Sequence, residues 1–284
     1  MQYLVLLLCC LLSTTKASIQ GDFSKKHIKN LSDIVFFIGL VFAFSSLLFL
    51  PRVFGCPWQV WIFGAAFGIF SVIFQLSYTK ALSLGNVSLT IMLSNLSMVV
   101  PILFSAIAYG EWPTLLQYVG IALTVVAFAI NTDFKSGGKK SALWIILVLT
   151  TLLVGGTASC VQKIMSKTEF ADQSQAFVSC AYIVAAIATF LVYLPIRKKQ
   201  AKTYPTSPRV FLYALGVGVS LAAFQFVYNR AIATYPPAFV FPAYAGGTII
   251  VSALAGIILF KDKLSLKQAI SIFVGFAAVV LMNF

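Results

Sequence analysis

The most regular feature of the chain is a series of apolar runs of about 17 to 25 residues, separated by short polar connections. An α-helix needs a run of about this length to cross the apolar core of a membrane, because each residue advances it by about 1.5 Å. The pattern predicts an all-α integral membrane protein with ten transmembrane helices. The expected spans are residues 2–22, 32–50, 58–83, 87–109, 115–131, 142–163, 174–195, 209–232, 237–260 and 265–283.

Two segments of the first half of the chain recur in the second half. FQLSYTKAL from Phe74 matches FQFVYNRAI from Phe224, and LLSTTKASIQGDFSKK from Leu11 matches LLVGGTASCVQKIMSK from Leu152. Such self-similarity indicates an internal repeat. Each repeat holds five predicted helices, and an odd number of spans makes the two copies enter the membrane from opposite sides. We therefore expect two inverted five-helix repeats, over residues 1–133 and 142–284, joined by a linker at 134–141.

Short motifs also occur in the same order in both halves. The third predicted helix of each half ends in Y-x-(K/R)-A-(L/I), and EWPTLLQ from Glu111 matches DKLSLKQ from Asp262 at the start of the fifth. In order, spacing and duplication these motifs resemble the EamA-type family of the drug/metabolite transporter superfamily, over nearly the whole chain. The resemblance implies ten helices in two inverted repeats, and the family includes exporters of amino acids and other metabolites. Glu111 and Asp262 are expected to be structural, because a carboxylate offsets the positive end of a helix.

The composition is that of a protein surrounded by lipid. Of the 284 residues 60% are hydrophobic and 10% charged, whereas a soluble domain carries about 25% charged residues. The net charge of +13 is spread over the short connections, which favours anionic lipid headgroups over nucleic acid as its partner. The five cysteines lack C-x-x-C spacing and His27 is the only histidine, so we expect no metal, no disulfide framework and no cofactor.

The first apolar run also resembles the hydrophobic region of a signal peptide. No Lys or Arg precedes this run, and its counterpart recurs in the middle of the chain, where no signal peptide can lie. We therefore expect the run to be a retained first helix.

Lys16 is the clearest candidate for contact with a solute, because a charge at membrane depth is costly unless it meets a partner or water. Ser13, Lys16 and Gln20 fall on one face of the first predicted helix, at spacings of three and four residues. The cation could bind an anionic group such as a carboxylate. Alternatively, its flexible stem lets it snorkel towards the lipid headgroups.

Matching polar faces are expected on the third and eighth helices. Such faces would suit two walls of one cavity, or would hydrogen-bond neighbouring helices. The residues are Gln75, Tyr78 and Thr79 on the third helix, and Gln225, Tyr228 and Asn229 on the eighth.

Four further residues are candidates. Asn95 and Tyr244 lie in the fourth and ninth runs, which prolines interrupt, so that polar groups there could face a solute. Lys80 and Arg230 are weaker candidates, because near a helix end they can snorkel or interact with the C-terminal dipole.

Basic residues are distributed unevenly among the connections. The odd-numbered connections hold fifteen of the 20 Lys and Arg residues, and the even-numbered ones hold four. Positive residues prefer the cytoplasm, so this count places both termini outside. The family resemblance implies that both termini are inside, and the two criteria disagree.

These features predict a secondary transporter that exports amino acids or related small metabolites by alternating access, in a cell membrane that we expect to be a bacterial plasma membrane. Its expected solute is anionic or zwitterionic, because the first predicted helix offers Lys16 with Asp22 only near its end. A flippase for lipid-linked (undecaprenyl-type) sugars or a multidrug exporter is the alternative within the same class. A membrane enzyme would need clustered catalytic groups, so we predict no enzyme and no catalytic residues. A non-transporting membrane interaction protein is the alternative of a different class.

Overall fold

A computed structural model describes residues 2–28, 30–84, 90, 94, 96–131, 142–199, 208–260 and 266–281. Within these ranges the regular secondary structure is all helical, with no β-strand. Short 3₁₀ turns lie at Leu50–Val53, Leu96–Met98 and Ala171–Gln173. The α-helices of the described residues are α1 Gln2–His27, α2 Leu31–Leu47, α3 Trp58–Leu84, α4 Val99–Tyr109, α5 Leu115–Asn131, α6 Ala142–Ser166, α7 Ser174–Lys199, α8 Pro208–Thr234, α9 Pro237–Phe260 and α10 Leu266–Leu281.

Five apolar stretches of the described helices are long enough to cross a membrane. They are Tyr3–Phe23, Trp58–Leu82, Ala142–Ser166, Ala171–Ile196 and Pro208–Thr234. Shorter apolar helices accompany them, such as the 17-residue α2 and α5, each about 26 Å long against an apolar core of about 30 Å. The chain is thus an all-helical membrane protein with five clear spans, and the ten predicted spans stay a prediction.

The outer surface of the bundle is strongly apolar. Leu4, Ile107, Leu115 and Phe273 each expose more than 70% of their surface. Large exposed apolar patches are rare on soluble monomers, whereas lipid covers them without penalty.

The described end of the fourth apolar run is the helix α4. Thr90 and Ser94 of this run are helical, and α4 begins at Val99, directly after the 3₁₀ turn Leu96–Met98. Pro101 lies in the first turn of α4, where its missing N–H leaves no bond unmade. Gly110 ends α4 with a φ of 68°, a left-handed conformation that glycine adopts without strain. The chain then turns sharply and presents Glu111.

The two halves of the protein, residues 2–131 and 142–281, interleave. Helix α1 packs against α8 and α9 of the second half, and α6 packs in the same way against α3 and α4 of the first half. The second helices α2 and α7 pack on each other, as do the fifth helices α5 and α10. Equivalent helices therefore make equivalent contacts, as expected when two related copies share one core.

The contacts at one end of the bundle fix the relative directions of α1 and α6. Gln20, near the end of α1, donates a hydrogen bond to Thr79 Oγ1 near the end of α3, at 3.2 Å. Trp144 Nε1, at the start of α6, donates to Thr90 Oγ1, six residues beyond α3, at 3.0 Å. Helix α6 therefore begins at the end of the bundle where α1 finishes, and the first helices of the two halves run in opposite directions.

Glycines allow the third helix of each half to approach the second helix of the other half closely. A Cβ atom on Gly64 of α3 would lie 2.8 Å from Cys180 Cβ of α7, and one on Gly68 would collide with the carbonyl oxygen of Ala181. In the other half, a Cβ on Gly218 of α8 would lie 2.9 Å from Phe44 Cβ of α2. Backbones packed this closely form the rigid part of the bundle.

Candidate functional site

A cavity of about 230 Å³ lies between the two halves. Its described lining comes from α1, α2, α3, the turn before α4, α6, α7, α8 and α9, whereas α5 and α10 contribute none of it. The cavity can hold a small metabolite rather than a polymer. Eight of the predicted site residues line it, namely Ser13, Lys16, Gln20, Gln75, Tyr78, Gln225, Tyr228 and Tyr244.

Lys16 is the single charged side chain among the described lining residues. It is partly buried, at the middle of α1. Within the described part of the chain its ammonium group forms neither an ion pair nor a hydrogen bond. The cavity thus offers one unneutralised positive charge to whatever occupies it.

The first helix of each half carries a glutamine whose amide donates a hydrogen bond to the same repeat position on the third helix of that half. Gln20 Nε2 donates to Thr79 Oγ1, and Gln162 Nε2 of α6 donates to Asn229 Oδ1 of α8 at 2.7 Å. Thr79 and Asn229 are equivalent in the repeat and are buried, and neither lines the cavity, although both glutamines do. These two predicted residues orient lining side chains.

Aromatic rings form much of the wall, again as related pairs. Phe74 stacks on Tyr78 with ring centroids 5.5 Å apart, and the repeat-related Phe224 stacks on Tyr228 at 5.1 Å. Tyr244 lies 5.0 Å from the Tyr228 ring, and its hydroxyl is 2.5 Å from Ser13 Oγ. Because aromatic faces pack flat apolar groups well, the walls suit a planar solute.

Two further predicted residues lie outside the cavity. Lys80 is partly buried on α3 and Arg230 is exposed on α8, 5.8 Å from the centre of the Phe226 ring; neither lines the cavity. Asn95 lies outside the described residues. All the predicted assignments to solute binding stay predictions.

Two central lining residues were missed by the sequence analysis. Phe42 of α2 and Tyr182 of α7 stack on each other, with ring centroids 5.5 Å apart, and both line the cavity. They lie on the second helices of the two halves, which pack together. Neither residue is charged or carries an amide, and neither lies in a repeated segment, so the sequence offers no signal for them.

A cluster of charges lies outside the cavity. Glu111, in the connection between α4 and α5, binds Lys163 Nζ at 3.0 Å and Lys167 Nζ at 2.7 Å. Burial raises the pKa of the Glu111 carboxyl, but hydrogen bonds from Lys167 and Lys163 and the charges of both outweigh burial and hold the pKa below its usual 4.5. The cluster ties the first half to the end of α6.

The described His, Cys, Asp and Glu side chains form no group of three that could hold a metal ion. Cys56 and Cys180 are free thiols with sulfur atoms 3.9 Å apart, close to the α3–α7 contact rather than in the cavity.

Comparison with known proteins identifies the family. A model described as the EamA-like transporter family matches residues 4–132 and again residues 142–284. One crystal structure of another protein has the same fold, with a TM-score of 0.76 and 15% sequence identity over 99% of this chain and 95% of that one. A search of curated proteins gives no match. The resemblance seen in the sequence motifs is confirmed: this chain belongs to the EamA-like transporter family, within the drug/metabolite transporter superfamily.

Proposed function

We propose that this protein is a secondary transporter that exports amino acids or related small metabolites, anionic or zwitterionic, by alternating access. The observation that carries the proposal is the cavity between the halves with Lys16 as its one described charge. A cation at membrane depth without a partner among the described residues is expensive to maintain, which is why such residues usually mark a solute pathway.

The proposal includes ten spans, with the repeats 1–133 and 142–284 inverted about the linker 134–141 in a multi-pass cell membrane protein, most simply a bacterial plasma membrane. The opposite directions of α1 and α6 support the inversion. The shorter helices would span by local thinning of the bilayer and by snorkelling of flanking residues. Alternating access then consists of rocking one half against the other around the cavity.

Each lining group has a role in this scheme. Lys16 binds the carboxylate of the solute, and the amides of Gln75 and Gln225 hydrogen-bond it from the two matching walls. The stacked aromatic pairs exclude water from its apolar part. Lys80 and Arg230 do not line the cavity, so the structure gives the flippase alternative no added support.

A metabolite screen in reconstituted vesicles tests the proposal. We expect Lys16→Ala to lower the flux of the identified solute at least about tenfold, because a hydrogen bond to a charged group contributes about 1.5–3 kcal/mol. Gln75→Ala/Gln225→Ala should lower it too. Arg209→Ala is the matched control, since it removes an exposed cation at the start of α8. Unchanged flux in every variant would reject the site, and the absence of any protein-dependent flux would reject the function.

A further inference from the structure

The described carboxylates of the protein lie outside the cavity. Five are described: Asp22 accepts a hydrogen bond from the Tyr213 hydroxyl at 2.6 Å, Asp33 caps α2, Glu111 binds two lysines, and Glu169 and Asp172 lie between α6 and α7. None of these five lines the cavity. The described lining therefore offers a positive charge for an anion and no negative charge for an ammonium group.

Three largely buried side chains of the lining carry polar groups without a hydrogen-bond partner among the described residues. Tyr182, Gln225 and Tyr228 are each at least 94% buried, and none of the three side chains makes a hydrogen bond within the described residues. Their amide and hydroxyl groups are not fully enclosed by protein, because these residues line the cavity. These groups are placed to hydrogen-bond an occupant, together with Lys16.

Apart from these groups and eight serine and glutamine residues, the described lining is apolar and largely aromatic. Nine of the 25 lining residues are Phe or Tyr, and they come from both halves. Aromatic faces can also attract an ammonium group. Here, however, any second cation in a space of about 230 Å³ lies within roughly one Debye length, about 8 Å, of Lys16 and is repelled by it.

We propose that the preferred solute is an organic monoanion with a flat apolar body, such as an aryl carboxylate, rather than a zwitterionic amino acid. The inference rests on the proposed transporter function and narrows its substrate class. The carboxylate binds Lys16, the amide of Gln225 and the Tyr182 and Tyr228 hydroxyls complete its hydrogen bonds, and the ring lies among the aromatic side chains. The ammonium group of an amino acid would have to give up its hydration for a site that carries a like charge.

Three solutes that share a phenyl ring and differ in charge test the inference. Phenylpropanoate, phenylalanine and phenylethylamine are anionic, zwitterionic and cationic at about pH 7. Flux is measured in vesicles containing the full chain, after subtraction of the flux into protein-free vesicles. We expect phenylpropanoate to move at least about tenfold faster than phenylalanine, a difference of about 1.4 kcal/mol, and phenylethylamine to be slowest. Lactate, an anion without a ring, should also move more slowly than phenylpropanoate.

Substitutions of Lys16 assign the preference to its charge. Lys16→Gln should remove most of the difference between phenylpropanoate and phenylalanine, Lys16→Arg should keep it, and Lys16→Glu should favour phenylethylamine. Arg209→Gln, which removes an exposed positive charge, should leave the ratio unchanged. Size-exclusion profiles in detergent identify any variant that fails to fold, and Lys16→Arg then supplies the comparison.

The inference and the function fail in different ways. If phenylalanine moves as fast as phenylpropanoate, or Lys16→Gln keeps their ratio, the inference is overturned and the transporter stands. If the screen finds only solutes outside these classes, the inference is again overturned. If no solute moves above protein-free vesicles, the proposed function itself fails.

Discussion

Lys163 is held at the end of α6 by one carboxylate, although only 3% of its side chain is exposed. Removing one partner of a buried ion pair leaves the other charge desolvated, at a cost of about 3 kcal/mol. We expect Glu111→Gln to lower the free energy of unfolding in detergent by about that amount. Adding Lys163→Met should restore most of the loss, because no buried charge is then left alone.

The control for this prediction is Asp172→Asn, which changes an exposed carboxylate near the same face and should shift stability by less than about 0.5 kcal/mol. Equal effects of the two carboxylate substitutions would show that the pairing of Glu111 does not matter.

The same carboxylate predicts how stability depends on pH. The lysines lower the pKa of folded Glu111, so the pair contributes fully above the usual pKa of 4.5 and the contribution is lost as the pH falls below it. A series of unfolding measurements should show a loss of stability below about pH 4.5 that is smaller in Glu111→Gln. If the parent protein and Glu111→Gln lose stability equally as the pH falls, groups other than Glu111 cause the loss at acid pH.

At the scale of elements, the close contact of α3 with α7 depends on glycine. We expect Gly68→Ala to destabilise the protein by about 1–3 kcal/mol, because the new methyl group meets the Ala181 carbonyl and must push the helices apart. Gly21→Ala, on α1 with no atom within 4 Å of the added Cβ, is the matched control and should be neutral or stabilising. Thermal unfolding of both variants in micelles distinguishes a steric effect from a general effect of replacing glycine.

How far sequence alone predicts the elements can be seen from particular residues. Apolar runs locate the long helices because lipid imposes their length, and the polar faces of α1, α3 and α8 stand out because charge and amides are rare at that depth. Phe42 and Tyr182 could not be selected, since an aromatic residue in an apolar helix is equally suited to lipid, core or cavity. The partners of Glu111 could not be foreseen either, because they lie on a helix of the other half.

At the scale of the whole molecule, the inverted arrangement makes a direct prediction. Asn30 and Glu169 are exposed in the connections that follow the first helix of each half. In a background without the five native cysteines, Asn30→Cys and Glu169→Cys should react with a membrane-impermeant maleimide from opposite faces. The charge count further predicts a cytoplasmic Asn30. Labelling of both from the same face would refute the inversion, whichever face it is.

The charge of Lys16 has a further consequence, which appears when Lys16 is compared with the corresponding position of the second half. In the cavity lining of the second half its place is taken by Ala158, which precedes Gln162 on α6 by four residues as Lys16 precedes Gln20 on α1. Two identical subunits assembled around one symmetry axis would have brought a pair of ammonium groups together in the same small space, where each would oppose the other. Because the two copies are joined in a single polypeptide, they can differ at that position. The cavity then keeps one positive charge, and an asymmetric anionic solute can pair its own charge with it in only one orientation.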